Sequence, residues 1–394
     1  MLMIRAAIVA SALLVSFSAC ASTYIPLGDD VVLARVPTRL DPDVRALSVL
    51  RQQLTVAPQD LNAAVTYARE ALKVGHARSD PRYYGYAEAA LSPWWMLDDA
   101  PQQVLVLRAT IHQFFHAFDL AMTDLDRALV RNPGDAQARL IRATVHQVQG
   151  HPEMAWADCQ QLPQQLDALI ATACASSASS LMGKAVRADA VLSFVLDQSK
   201  SIPADSRLWA ETLRAEIAER LGRTSDAQAA YQRALQTMDG LSVTDAYLLA
   251  DWADFAIKQG QGNVVIDRLK NLTDIDNLLL RLALAEQAAG GHSETLALHK
   301  KMLNERFAAA RQRGDAVHLR EEAMYQLYLA SDPKGALSLA QQNWKTQREP
   351  IDALILLQAA QATHQVDAAM PVRDWMRETG IEDQRLTAAA GALK

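Results

Sequence analysis

The sequence predicts an all-α chain, and three observations carry that prediction. Half of the 394 residues are hydrophobic, yet only 6% are aromatic. Alanine, the strongest helix former, occurs 70 times. Glycine and proline number 16 and 14, about 8% of the chain where an average protein carries roughly 12%. A sandwich or barrel needs frequent turns and β-branched or aromatic strands, so this composition argues against both. Disorder is also disfavoured, because only 21% of residues are charged and apolar residues are plentiful. The length suits two or three ordinary domains or one long array of repeats. The net charge of -6, with no basic block, leaves no electrostatic footprint for nucleic acid.

Taken from the amino terminus, residues 1–20 read as an export signal. Met1 and Arg5 supply a short positive region, and Ala6 to Phe17 is apolar. That stretch is too short to cross a bilayer as a helix, which takes about 20 residues, but suits a signal peptide. Ala19-Cys20-Ala21 has the form of an ordinary signal-peptidase site. Phe17-Ser18-Ala19-Cys20 resembles a bacterial lipobox, with Phe17 where leucine is usual. The first reading implies soluble export. The second implies lipidation of Cys20, and with Ala21 and Ser22 following rather than Asp it points to the outer membrane. Either way the expected location is extracytoplasmic, in the periplasm, with membrane attachment only through the signal or lipid anchor. Beyond Cys20 the only cysteines are Cys159 and Cys174. In an oxidising compartment they are candidates for a disulfide, against the alternative of two small buried residues.

Residues 21–40 carry two prolines and read as an extended tether. Asp41-Pro42 then opens a helix by N-cap and N1 chemistry. Asn62 to Gly75 follows as the first helix of a pair, with Ala68 in its middle.

Farther on, the chain repeats itself. Leu107-Arg108-Ala109-Thr110-Ile111-His112-Gln113 and Ile141-Arg142-Ala143-Thr144-Val145-His146-Gln147 lie 34 residues apart, and Ala121 with Asp124 keep the same offset to Ala155 with Asp158. This period resembles the tetratricopeptide repeat family, whose marks are small residues at repeat positions 8, 20 and 27, glycine near 15 and proline at 32. Ala109, Ala121, Ala128 and Pro133 match in one segment, with His116 in place of the glycine. Ala143, Gly150 and Ala155 match in the next, then Ser176, Gly183 and Ala188, then Ala215, Gly222, Ala227 and Ala234. Weaker matches run through Ala253, Gly260, Ala283, Gly290, Ala336 and Ala369. The resemblance covers 41–378 and implies a right-handed tetratricopeptide-repeat superhelix, an α-solenoid of eight or nine helix pairs. The physics agrees: small residues let paired helices cross closely, a turn glycine supplies positive φ, and each pair leaves an apolar face for the next. Residues 379–394 are left as a tail or a capping helix.

No nucleophile, metal or nucleotide motif appears, and no cofactor is expected. The expectation is a non-enzymatic chain. His112 and His146 share a repeat position that in the family faces the helix packing, so a structural role outweighs a metal or pH-sensing pair. The resemblance implies a protein- or peptide-binding scaffold of the cell envelope whose concave groove is lined by set first-helix positions. By register these are Gln103, Thr110, Gln113, Phe114, Gln137, Thr144, Gln147, Trp209, Glu216, Glu219, Arg220, Tyr247, Asp254 and Lys258. A second candidate is the aromatic cluster Tyr83, Tyr84, Tyr86, Trp94 and Trp95. It is either packing or a platform for an envelope polymer such as peptidoglycan or polysaccharide. The remaining alternative is an enzyme whose site leaves no motif.

Overall fold

The computed structural model describes residues 42–162, 166–198, 202–291, 293–314 and 318–393. The expected signal segment, Cys20 and the tether 21–40 lie outside the described residues. From Asp43 onward the chain forms one compact unit. Among the described residues every regular element is helical, and no helix is long and apolar enough to cross a membrane.

The helices come in consecutive antiparallel pairs, as short connections require. A leading helix α1 (Pro42–Val56) precedes the pair α2 (Leu61–Arg78) and α3 (Arg82–Ala90), followed by the single turn α4 (Ser92–Trp95). Then come α5 (Gln102–Phe114) with α6 (Phe118–Arg131) and α7 (Ala136–Val148) with α8 (Pro152–Gln160). The next pairs are α9 (Ala168–Ser180) with α10 (Ala185–Gln198) and α11 (Ala204–Arg220) with α12 (Thr224–Leu241). They continue through α13 (Ala246–Lys258) with α14 (Gly262–Leu269) and α15 (Asp276–Ala288) with α16 (Glu294–Arg313). Helix α17 (Leu319–Met324) runs on into a π-helical turn, Tyr325–Leu329, before α18 (Pro333–Asn343). Helix α19 (Pro350–Ala362) reaches α20 (Met370–Thr379) through a 3₁₀ turn, and α21 (Gln384–Ala392) ends the chain. The result is an all-α, repeat-like fold.

Local chemistry explains both the helix starts and the turns. Asp60, Asp135, Asp167, Asp245 and Ser293 cap the N-termini of α2, α7, α9, α13 and α16 by accepting from first-turn amides. Between the two helices of each pair, the chain passes through a residue of positive φ: Ser79, His116, Gly150, Gly183, Gly222, Gly260, Gly291, Ser331 and His364. Such a residue ends a helix in the left-handed conformation and turns the chain back. The packing follows from the small residues. Ala109, Ala215, Ala253, Ala283 and Ala323 on first helices are fully buried, as are Ala121, Ala155, Ala227 and Ala336 on second helices. A larger side chain there would separate the pair, at a cost of about 1–3 kcal/mol.

The 34-residue similarity also fixes a repeated polar contact. Arg108 Nη2 donates to Asp124 Oδ1 at 2.6 Å, and one repeat later Arg142 Nη2 donates to Asp158 Oδ1 at 2.5 Å. His112 and His146 each lie 3.9 Å from the same aspartates. Burial pushes the pKa of both imidazoles down, so they serve as neutral packing groups beside a paired carboxylate. Arg139 adds a third donor at Asp158, 3.3 Å away. Between these pairs, Cys159 on α8 and Cys174 on α9 are joined in a disulfide, with Cα atoms 5.5 Å apart.

The carboxy-terminal helices return to earlier turns. Arg348 N donates to Val148 O at 2.7 Å, Ala185 N at the start of α10 donates to Glu382 Oε2 at 2.7 Å, and Gln384 Nε2 donates to Leu221 O at 2.9 Å. The turn glycines Gly150, Gly183 and Gly222 are the points of contact: an added Cβ would meet Arg348, the Gly380 carbonyl and Gln384 respectively. At the other edge Thr244 N donates to Ala77 O at 2.9 Å. Helix pairs far apart in sequence are thereby held together.

Candidate functional site

These returns border an open cavity of about 150 Å³ whose walls are largely first helices of successive pairs. Each wall residue reaches the cavity because its helix buries the opposite face against the next pair. Helix α7 contributes Gln147, α9 contributes Ser177, and α11 contributes Glu216, Glu219 and Arg220. Tyr247, Asp251, Asp254 and Lys258 come from α13, Asn277 and Arg281 from α15, and Arg320 and Glu321 from α17. Glu349 at the head of α19 and Arg385 of α21 complete the polar lining.

Half of the expected groove residues therefore converge here: Gln147, Glu216, Glu219, Arg220, Tyr247, Asp254 and Lys258. The other seven lie elsewhere. Gln103, Gln137 and Thr144 are exposed, Trp209 is 39% exposed, and Gln113 is half-buried. Thr110 Oγ1 donates to the Val106 carbonyl one turn back. Phe114 stacks on Tyr84, ring centroids 3.6 Å apart. The register also omitted Asp251, Arg281, Arg320, Glu349 and Arg385. Asp251 and Arg281 occupy the sixth position of their first helices, a position the register passed over. Nothing local marks Arg385, which reaches the chamber only because α21 folds back.

The electrostatics are those of charges crowded together, some buried and some partly open to water. Arg281 forks onto Asp254, with Nη2 2.9 Å from Oδ2. Arg320 forks onto Asp352 at 2.6 and 2.8 Å and also holds Glu349. Glu219 Oε1 accepts from Lys258 Nζ at 3.0 Å and lies 3.1 Å from Arg385 Nη1. Burial raises the Glu219 pKa, but those two cations outweigh it and hold the carboxyl below its usual range. Among the described residues Asp251 has no cation within ion-pair distance; its carboxylate accepts from the Tyr231 hydroxyl, and Arg385 acts on it only through space. Burial, then the negative Glu219 beside it, push its pKa up to about 6. Glu216 lies 3.8 Å from Arg220. Burial and the charge of Asp251 push its pKa up to about 8. Arg220 is itself buried, donates to Ser180 Oγ at 2.7 Å, and leaves its Nε without a partner. Asn277 Oδ1 is likewise buried and unpaired.

The aromatic cluster divides. Tyr84 is buried in its stack with Phe114, and burial pushes its pKa up to about 12. Trp94 and Trp95 are partly buried against the amino-terminal core, and the Trp95 carbonyl accepts from Arg108. Tyr83 meets Tyr86 edge-on at 5.6 Å, and Tyr86 is 47% exposed. Among the described residues no group of three or more His, Cys, Asp or Glu side chains is arranged to hold a metal.

No protein-family model matches the chain, and no curated protein matches it. Fold and site together describe an all-helical, repeat-like protein with a charged cavity lined by successive helix pairs.

Proposed function

We propose that this chain is a non-enzymatic tetratricopeptide-type scaffold of the bacterial cell envelope that binds a protein or peptide segment on its inner face. The observation that carries the reading is the convergence of first-helix residues from α7 to α17 on one polar chamber. A stacked array places equivalent positions of successive pairs side by side, which suits an extended ligand. The 34-residue match, the positive-φ turns and the fully buried alanines support the tetratricopeptide assignment and its right-handed superhelix. Residues 1–20 support export, with Cys20 as the lipidation site if the lipobox is used. The rival polymer platform draws less support, because Tyr84, Trp94 and Trp95 are engaged in packing.

A photo-crosslinking amino acid placed in turn at Gln147, Lys258 and Phe194 tests the binding face. Phe194 on α10 is 64% exposed and away from the chamber. The same adduct at Gln147 and Lys258, absent at Phe194, is the expected outcome. No adduct at either chamber position, or an identical adduct at Phe194, would overturn the reading.

A further inference from the structure

The chamber is short of positive charge at one place. Its lining holds six carboxylates, Glu216, Glu219, Asp251, Asp254, Glu321 and Glu349, against five cations. Four of those cations are committed: Lys258 and Arg385 to Glu219, Arg281 to Asp254, and Arg320 to Glu349 and Asp352. The fifth, Arg220, reaches Glu216 only at 3.8 Å. Asp251, next to Glu216 in the chamber wall, accepts from a tyrosine hydroxyl, is within ion-pair distance of no cation among the described residues, and feels Arg385 only through space.

Two further facts bear on what belongs there. Arg220, only 4% exposed, offers its Nε–H to no acceptor. A buried donor left unpaired costs about 1–3 kcal/mol, so such a group points to a missing partner. Arg385, meanwhile, shows what this wall accepts. It belongs to α21, outside the paired helices, and its guanidinium is held by Glu219 at 3.1 Å.

We propose that the chamber binds a basic amino-acid residue, its guanidinium or ammonium between Glu216 and Asp251 and its carbonyl oxygen on Arg220 Nε. A buried charge is tolerated when it is paired and hydrogen-bonded, and here both ends of the ligand find partners. The chemistry is the same for a free basic amide and for a basic side chain on a partner peptide. The peptide form rests on the binding function proposed above; the free form does not.

Burial raises the Glu216 pKa to about 8 and a cation between the two carboxylates favours their ionised forms, so cation binding is coupled to proton release. The groups facing Glu216 are Arg220 from its own helix, Asp251 and Tyr247 from α13, and Glu349 from the head of α19. A ligand cation favours the ionised carboxylate, so binding tightens as pH rises toward 8, by at most tenfold per pH unit for one proton.

Calorimetry on the purified chain tests this with Nα-acetyl-arginine amide, Nα-acetyl-alanine amide, and heptapeptides carrying one central arginine or glutamine. The expected result is binding of the arginine amide but not the alanine amide, tighter at pH 7.5 than at 6.5. The double variant Glu216→Gln, Asp251→Asn should lose at least tenfold. Those substitutions remove buried carboxylates with unfavourable ionisation, and thermal melts verify that the variant is folded. Equal binding of both amides, no binding of either, or unchanged affinity in the folded double variant would overturn the proposal. If the glutamine peptide binds as well as the arginine peptide, the basic-residue site falls while peptide binding stands. If the arginine amide binds and neither peptide does, the site stands and the peptide reading falls.

Discussion

Gly183 and Gly260 have nearly the same backbone conformation, with φ of +67° and +73°, but different surroundings. An added Cβ at Gly183 would lie 2.9 Å from the Gly380 carbonyl oxygen, whereas Gly260 faces open space. Gly260→Ala should therefore cost about 1 kcal/mol from backbone strain alone. Gly183→Ala should cost about 2–3 kcal/mol, because the returning backbone must also shift. Urea denaturation of the two variants checks the difference, and equal costs would mean that the contact with Gly380 contributes nothing. At Glu216 the expectation concerns pH. Its folded pKa, about 8, lies above the ordinary 4.5. The folded state thus keeps a proton that the unfolded chain has lost, and stability falls as pH rises between those values. His116 works in the opposite sense. Burial, then the charge of Arg320, lower its pKa to about 4, so its penalty appears as pH falls below about 6.5. Between pH 6.5 and 8 the Glu216 effect stands alone of the two. Wild type should lose about 2 kcal/mol there, and Glu216→Gln should flatten the profile. A profile unchanged by that substitution would show that Glu216 is not the group.

At the scale of helices, two devices lock neighbouring pairs. The disulfide between α8 and α9 closes a short loop, so reduction should cost roughly 3 kcal/mol on the chain-entropy account. Thermal melts with and without reductant measure it, and the mass after alkylation of non-reduced protein shows directly whether the thiols are free. The second device is the buried aspartate shared by α7 and α8. Asp158→Ala removes the carboxylate from Arg142 and from buried Arg139, which then keeps only the Pro133 carbonyl, and should cost about 3–5 kcal/mol. Asp126, a partly exposed partner of the same Arg142, should cost less than about 1 kcal/mol when changed to Ala. The contrast separates a buried network from a surface ion pair. The second device repeats with the 34-residue period, which is why its residues stood out as offsets in the sequence: Arg108 with Arg142, Asp124 with Asp158.

For the whole molecule, the decisive feature is that α19 to α21 pack back on the turns of α7 to α12. Arg385→Ala removes the guanidinium from Glu219 and leaves Lys258 as its partner. Hydrogen exchange should rise at the turns carrying Gly183 and Gly222, and the unfolding midpoint should fall. Unchanged protection at both turns would mean that the carboxy-terminal helix is held by its apolar contacts alone, such as fully buried Leu386.

The helices and their pairing were legible in advance because their causes are local. Alanine content, turn glycines and a 34-residue period each act within one repeat. The same register placed Glu216, Glu219, Arg220, Tyr247, Asp254 and Lys258 on a common lining, since equivalent helix positions face the same way. Its limits are equally physical. Phe114 left the lining because an aromatic ring gains more from stacking on Tyr84 than from facing water. The chamber itself depends on how much each pair is rotated against the next, a small angle summed over many pairs that no single motif encodes. Only the tertiary structure could bring Arg385 to Glu219, set Asp251 beside Glu216, and turn a row of polar positions into one shared cavity.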